Sequence, residues 1–223
     1  MIHILQFEGT GKFDVDDIDA SLCTHIIYSF AVLDPDTHLL KSPDAWLDLD
    51  RAGVRGWNLG GYRRFTQLKK QYPGVKLMLA VGGWTDSGHS KYSELLASHD
   101  KITRFVNHSA VFLQQYGFDG LDLDYEYPGY DRGQGASDTD KAGFTQLVRQ
   151  LSQVYRDQGL ELTAAVSASK TVIDTGYDVG EVCQHLDAVH LMSYDLHGQW
   201  EQVTNHHSPL LGDHNDTLTT DFG

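Results

Sequence analysis

Residues 118–129 read FDGLDLDYEYPG, and acids stand in this stretch at Asp119, Asp122, Asp124 and Glu126. The leucines and tyrosines between them suit a strand, so residues 118–127 are expected to form one. Strand side chains alternate, which puts Asp122, Asp124 and Glu126 on one face and Leu121, Leu123 and Tyr125 on the other. The apolar face must meet helices, so the three acids point away from them. Asp119 has the other parity and reads as structural. Neighbouring acids on one face lie roughly 6.7 Å apart at Cα. At an effective dielectric of about 20, two charges at that separation repel by roughly 2.5 kcal/mol, close to two pKa units. The three are therefore not expected to ionise together near neutrality, and a retained proton is what a general acid needs. Aspartate is depleted in strands, which argues against an accidental cluster. A calcium loop beginning at Asp122 would require glycine where Tyr127 stands.

Outward from this strand, short β-rich runs alternate with helical ones. Residues 24–31 (THIIYSFA) read as a buried strand. Phe65, Leu68 and Tyr72 recur at helical spacing and stop at Pro73-Gly74. The next strand, residues 76–81, ends in Gly82-Gly83-Trp84. Ile102, Phe105, Val106, Leu113 and Tyr116 mark one helix face closed by Gly117. Ser137-Asp138-Thr139-Asp140 resembles a capping signal opening a helix over Phe144, Leu147, Val148, Leu151 and Val154, closed by Gly159. A strand at 160–167, a short helix near 179–186 and a strand at 188–194 follow. Alternation without adjacent strands calls for a parallel sheet with right-handed crossovers and outer helices. No linker divides residues 1–223, so one domain is expected. Five strands, or six with residues 1–7, fit either an open doubly wound sheet or part of a (β/α)8 barrel, which needs eight strands.

Composition narrows the partners. The chain has 223 residues, 40% of them apolar, enough for a core of its own. Acids outnumber Lys and Arg 31 to 17, a formal charge of −14. Such a surface repels phosphate backbones and anionic lipid, so neither nucleic acid nor membrane is an expected partner. No apolar stretch reaches the roughly 20 residues of a spanning helix. Cys23 and Cys183 could form one bridge but define no framework. Residues 1–7 lack the features of an export signal. The triplets Asn107-His108-Ser109 and Asn215-Asp216-Thr217 mildly favour a secretory context. His206-His207 has no metal-ligand spacing around it and reads as a polar loop.

At the acidic strand the chain resembles glycoside hydrolase family 18, the chitinases and chitinase-like proteins. The signature D-x-x-D-x-D-x-E is matched by Asp119, Asp122, Asp124 and Glu126. CTHIIYSFA (23–31), KLMLAVGGW (76–84), LTAAVSAS (162–169) and LMSYDLHGQWEQVT (191–204) resemble successive family strands, and the resemblance covers about residues 11–211. It implies the (β/α)8 barrel, with catalytic groups at the C-terminal strand ends.

The resemblance also implies roles. Glu126 is the acid that protonates the glycosidic oxygen. No carboxylate acts as nucleophile; the sugar's own 2-acetamido oxygen attacks the anomeric carbon, with net retention. Asp124 would hold the acetamido N–H and stabilise the developing positive charge, with Asp122 sharing a proton. Tyr194 would bind the acetamido carbonyl and Asp195 orient the sugar. Trp84, beside Gly83, matches a sugar-stacking floor, with Phe30 at the cleft base, Met192 lining it, Tyr127 beside it and Trp200 at its edge. Met192 and Trp200 also have ordinary readings, as core filling and as a loop anchor. Tyr125 stands where the family often has Trp, on the outward face. No cofactor or metal is implied, and a monomer is expected once the barrel is complete.

Two departures shape the remaining expectations. Residues 1–7 do not resemble the family's first strand or its cysteine partner for Cys23, and the family's last two strands would follow residue 223. The chain is thus expected to be a single partial catalytic domain of five or six β/α units, poorly stable and weakly active alone. Endo-acting chitin hydrolysis, in an extracellular setting, is the function implied. The alternatives are a non-hydrolysing chitin-binding protein, against which the intact Glu126 argues, and a retaining glycosidase with a carboxylate nucleophile.

Overall fold

The computed structural model describes residues 2–3, 13–50, 59–130, 136–202 and 204–211. The triplet Asn215-Asp216-Thr217 lies outside the described residues, as does all of the 1–7 segment except Ile2–His3. Strands are β1 Ile2–His3, β2 His25–Leu33, β3 Leu40–Lys41, β4 Lys76–Gly82, β5 Gly120–Asp124, β6 Glu161–Ser167 and β7 Ala188–Met192. Helices are α1 Ala45–Asp48, α2 Gly61–Thr66, α3 Lys91–Leu96, α4 His99–Tyr116, α5 Asp140–Gln158, α6 Lys170–Gly176 and α7 Val179–Val182.

The sheet runs β1-β2-β4-β5-β6-β7 with every neighbour parallel, while β3 pairs antiparallel with β2. Spatial order therefore follows chain order. A doubly wound sheet reverses its order at a switch point, so this winding is that of a barrel wall. No pairing joins β1 to β7 among the described residues. The five strands expected from periodicity are all present. Within residues 1–7, left open as a sixth strand, Ile2–His3 pairs parallel with β2, Ile2 opposite Tyr28.

Alternation sorts the side chains into two layers. Leu77, Leu79 and Val81 of β4, Leu121 and Leu123 of β5, and Leu162 and Ala164 of β6 face outward. There they pack against Phe105 and Leu113 of α4 and Leu147 and Leu151 of α5. Ile27, Met78 and Ala80 form a separate inner cluster with Phe30 against it. Helices α4 and α5 stop at Gly117 and Gly159, both at positive φ. Six-residue α3 and seven-residue α6 were not legible, because they are too short to show a periodic face.

Two strand ends differ from expectation. The acidic strand leaves the sheet after Asp124 rather than at Tyr127. Its ladder with β4 ends at the pair Gly82–Asp124, where β4 itself turns away. Likewise β7 ends at Met192, where Ser193 N–H donates to Leu191 O at 2.9 Å. Cys23 and Cys183 are both exposed and free, so the single possible bridge is not formed. Asn107-His108-Ser109 lies within α4, with Ser109 buried and accepting from Tyr155 OH at 2.7 Å. A glycan acceptor needs a surface loop, so this triplet gives no support for a secretory setting. Among the described residues no helix is long and apolar enough to cross a membrane.

Leu121 has no exposed surface and joins β5 to the helix layer. Leu121→Ala is expected to cost about 2–5 kcal/mol in urea-induced unfolding; a loss below about 1 kcal/mol would show that β5 is loosely packed.

Candidate active site

Two glycines bring the C-terminal ends of β4 and β5 together. Gly82 has φ +119°, and a Cβ there would lie 2.1 Å from the carbonyl oxygen of Asp124. Gly83 has φ +83°, and its missing Cβ leaves the space taken by the Phe30 ring. Only glycine allows both the conformation and this close backbone approach. Gly83 N–H donates to Asp124 O at 2.8 Å. Ser87 then ties the departing chain down: its Oγ donates to Asp124 O at 3.3 Å and accepts from Glu126 N–H at 2.9 Å.

On the inner face of β5, Asp122 and Asp124 are buried, whereas Glu126, beyond the strand, is half-buried. Asp122 lies in register with Ala80 on one side and Thr163 on the other. Thr163 Oγ1 donates to Asp122 Oδ1 at 2.6 Å, and His190 Nε2 lies 3.6 Å from the same oxygen. Asp122 Oδ2 and Asp124 Oδ1 are buried with no hydrogen-bond partner among the described residues. Neither atom forms the shared-proton contact expected between the two aspartates.

Burial pushes the Asp124 carboxyl up to about 8, and the charges of Glu126 and then Asp122 add to the shift. Asp122 is raised as well, by burial, against the opposing hydrogen bond from Thr163 and the nearby His190. A proton is thus retained near neutrality, but the leading cause differs from the expected one. Loss of water outweighs mutual repulsion, a quantity that spacing along a strand does not carry.

The other expected site residues divide by position. Tyr194 lies within range of the acids: after burial, the charges of Asp124, Glu126, Asp195 and Asp122 raise its hydroxyl. Tyr127 is raised by burial and by the nearby charge of Glu126. Asp195, at φ +54°, turns to His207, its Oδ1 lying 2.5 Å from Nε2. The expected polar loop at 206–207 is thus tied to Asp195, and the His207 ring stacks on Tyr194 at 6.3 Å between centroids. Met192 is half-buried on β7 in parity with His190. Phe30, Gly83 and Trp84 line one cavity of about 500 Å³, together with Tyr28, Asp48 and Asp86. Trp84 is 60% and Trp200 63% exposed, leaving both rings open to a ligand face. Trp200 also packs over Gly198, where an added Cβ would come 2.4 Å from its ring.

Asp119 lies at the opposite end of β5. It accepts from Leu77 N–H and from Lys69 Nζ, each at 2.7 Å. Thr163, His190 and Ser87 were missed. The first two share inward parity with expected site residues and were findable by extending the alternation argument to β6 and β7. Ser87, in a loop, carried no periodic signal. Among the described residues no three His, Cys, Asp or Glu side chains are grouped to hold a metal ion.

Comparison with known proteins places this geometry. The profile of Glycosyl hydrolases family 18 matches residues 5–223. The chain is 43% identical to Probable chitinase 10 of Drosophila melanogaster over 91% of its own length and 8% of that protein. It is 44% identical to the Endochitinase of Manduca sexta over 91% of itself and 35% of that protein. Among solved structures, it matches a mutant catalytic domain 2 of the Ostrinia furnacalis Group II chitinase, crystallised with penta-N-acetylchitooctaose. That match has a TM-score of 0.86 and 45% identity, covering 94% of this chain and 53% of the other. The Group IV chitinase of the same insect, solved with allosamidin, gives a TM-score of 0.84 at 33% identity, covering 96% and 57% respectively. The chain therefore spans about half of these solved chains and less of the two curated relatives.

The raised Asp124 makes a signed prediction. Between the ordinary value of 3.8 and about 8, the folded chain holds a proton that the unfolded chain has lost. This group's share of stability is therefore full below 3.8 and falls as pH rises towards 8. The melting temperature of Asp124→Asn, relative to the parent, is expected to rise by about 5 °C or more between pH 4 and pH 8. A difference that stays flat across that range would show that Asp124 ionises normally.

Proposed function

The chain belongs to the family 18 glycosyl hydrolases, and on that premise we propose that it hydrolyses β-1,4-linked N-acetylglucosamine polymers within the chain, with retention. The observation that carries this reading is the buried Asp124 beside buried Asp122 on one strand face, with half-buried Glu126 just beyond, burial pushing the Asp124 carboxyl up to about 8 and Tyr194 near enough for the charges of all three acids to raise its hydroxyl. One carboxyl kept neutral beside another suits a site where positive charge must appear and then vanish.

Glu126, beyond the strand and half open to the cleft, gives its proton to the glycosidic oxygen as the bond to the anomeric carbon breaks. The 2-acetamido oxygen of the same sugar closes on that carbon and forms an oxazolinium ion. Asp124 accepts the acetamido N–H. As the cation develops, ionised Asp124 becomes favourable, and its proton passes towards Asp122, whose Oδ2 has no hydrogen-bond partner among the described residues and is free to take it. Tyr194 OH donates to the acetamido carbonyl and holds it for attack. Asp195 orients the sugar, with Tyr127 and Met192 bordering the site. Water, activated by Glu126, then opens the ring from the face the leaving group vacated. Trp84, above Phe30 and Gly83, and Trp200 offer stacking surfaces to neighbouring sugars. Action on such a polymer puts the chain outside the cell.

Glu126→Gln is expected to reduce turnover of an N-acetylchito-oligosaccharide by about 10³-fold or more while binding changes by less than about threefold. Retained turnover would identify another acid. A parent chain that binds the oligosaccharide without cleaving it would make this a chitin-binding protein instead. Acetamido participation predicts that a fully deacetylated oligomer is cut at least about 10²-fold more slowly; equal rates would require a carboxylate nucleophile.

A further inference from the structure

Asp140, at the start of α5, has no exposed surface and takes no part in the chemistry above. Its Oδ2 accepts from Ser93 Oγ of α3 at 2.6 Å, Tyr125 OH at 3.0 Å, Ser137 N–H at 3.2 Å and Gly129 N–H at 3.3 Å. Its Oδ1 is buried with no partner among the described residues. The capping signal at 137–140 thus forms only in part. Ser137 N–H reaches Asp140, but Ser137 Oγ accepts from Thr139 N–H rather than from Asp140 N–H.

A helix end can be capped by a neutral side chain at lower cost than by a fully buried carboxylate. What this carboxylate adds is its reach. Two of its donors belong to the segment that carries Glu126: Tyr125 immediately before it and Gly129 three residues after. That segment has left the sheet at Asp124, so no strand pairing fixes it among the described residues. Tyr125 is held again through its ring, stacked on Tyr92 at 4.6 Å and 10°. Tyr92 OH donates to Asp86 at 2.7 Å, and Asp86 also accepts Leu33 N–H at the end of β2.

We propose that Asp140 is a positioning residue for Glu126, clamping both ends of its segment from behind the sheet. Its catalytic meaning rests on the assignment of Glu126 as the acid, whereas the clamp is a property of the fold and is measured separately. Backbone hydrogen exchange of the parent chain, Asp140→Ala and Asp140→Asn reads the clamp. Turnover of an N-acetylchito-oligosaccharide reads its consequence. In Asp140→Ala, amides of residues 125–130 are expected to exchange about tenfold faster while β2 and β4 change by less than about twofold. The same variant should lose about tenfold or more in kcat with KM within about threefold. Asp140→Asn, which keeps one oxygen for the donors, should recover most of both. If Asp140→Ala fails to fold, Tyr125→Phe removes one donor and keeps the stacked ring; exchange about threefold faster at 125–130 is then expected. Unchanged exchange at 125–130 in a folded variant would overturn the proposal. So would a loss of protection spread evenly over the sheet, or accelerated exchange with kcat unaltered. Without turnover in the parent chain, the exchange data alone decide the clamp.

Discussion

Two aspartates on one strand, sealed from water, set the terms for everything around them. A charge taken out of water is costly, and the structure keeps Asp124 inside by letting it hold its proton. The surroundings are built for that compromise. Ala80, small and apolar, sits in register with Asp122 on one side; Thr163, with a single hydroxyl to give, sits on the other. Gly82 then lets the neighbouring backbone close over Asp124. The outer face of the same strand does the opposite work, with Leu121 and Leu123 cementing it to the helices. The acids are rigid because their strand cannot shift without exposing those leucines.

Much of this was legible before any coordinate. Period-two alternation placed Asp122 and Asp124 opposite Leu121 and Leu123, since one residue of slippage would send the leucines inward and the acids into the core. Asp119 fell on the other side for the same reason. Helices α4 and α5 are long enough for their apolar faces to repeat, and they were read correctly. The failures were of a different kind. Alternation alone predicts that Glu126 continues the strand, but the close approach of Gly82 to Asp124 ends the ladder, and such an approach depends on two strands at once. Spacing along the strand predicts a proton retained through repulsion, whereas burial leads at Asp124, and burial is a property of the folded whole.

Asp140 illustrates the same boundary. In the linear chain it is a helix-start acid, a local role that its spacing from Ser137 explains. In space it gathers donors from α3, from the end of β5 and from the following turn. The local reading was sound but incomplete, because hydrogen-bonding capacity left over after capping has no linear signature.

The two sulfhydryls offer a practical corollary. Cys23 lies just ahead of β2 and Cys183 just ahead of the turn into β7, and both are solvent-facing. They therefore sit at the N-terminal rim of the sheet, the end opposite Asp124. Spectroscopic labels or surface tethers coupled there leave the mouth unobstructed.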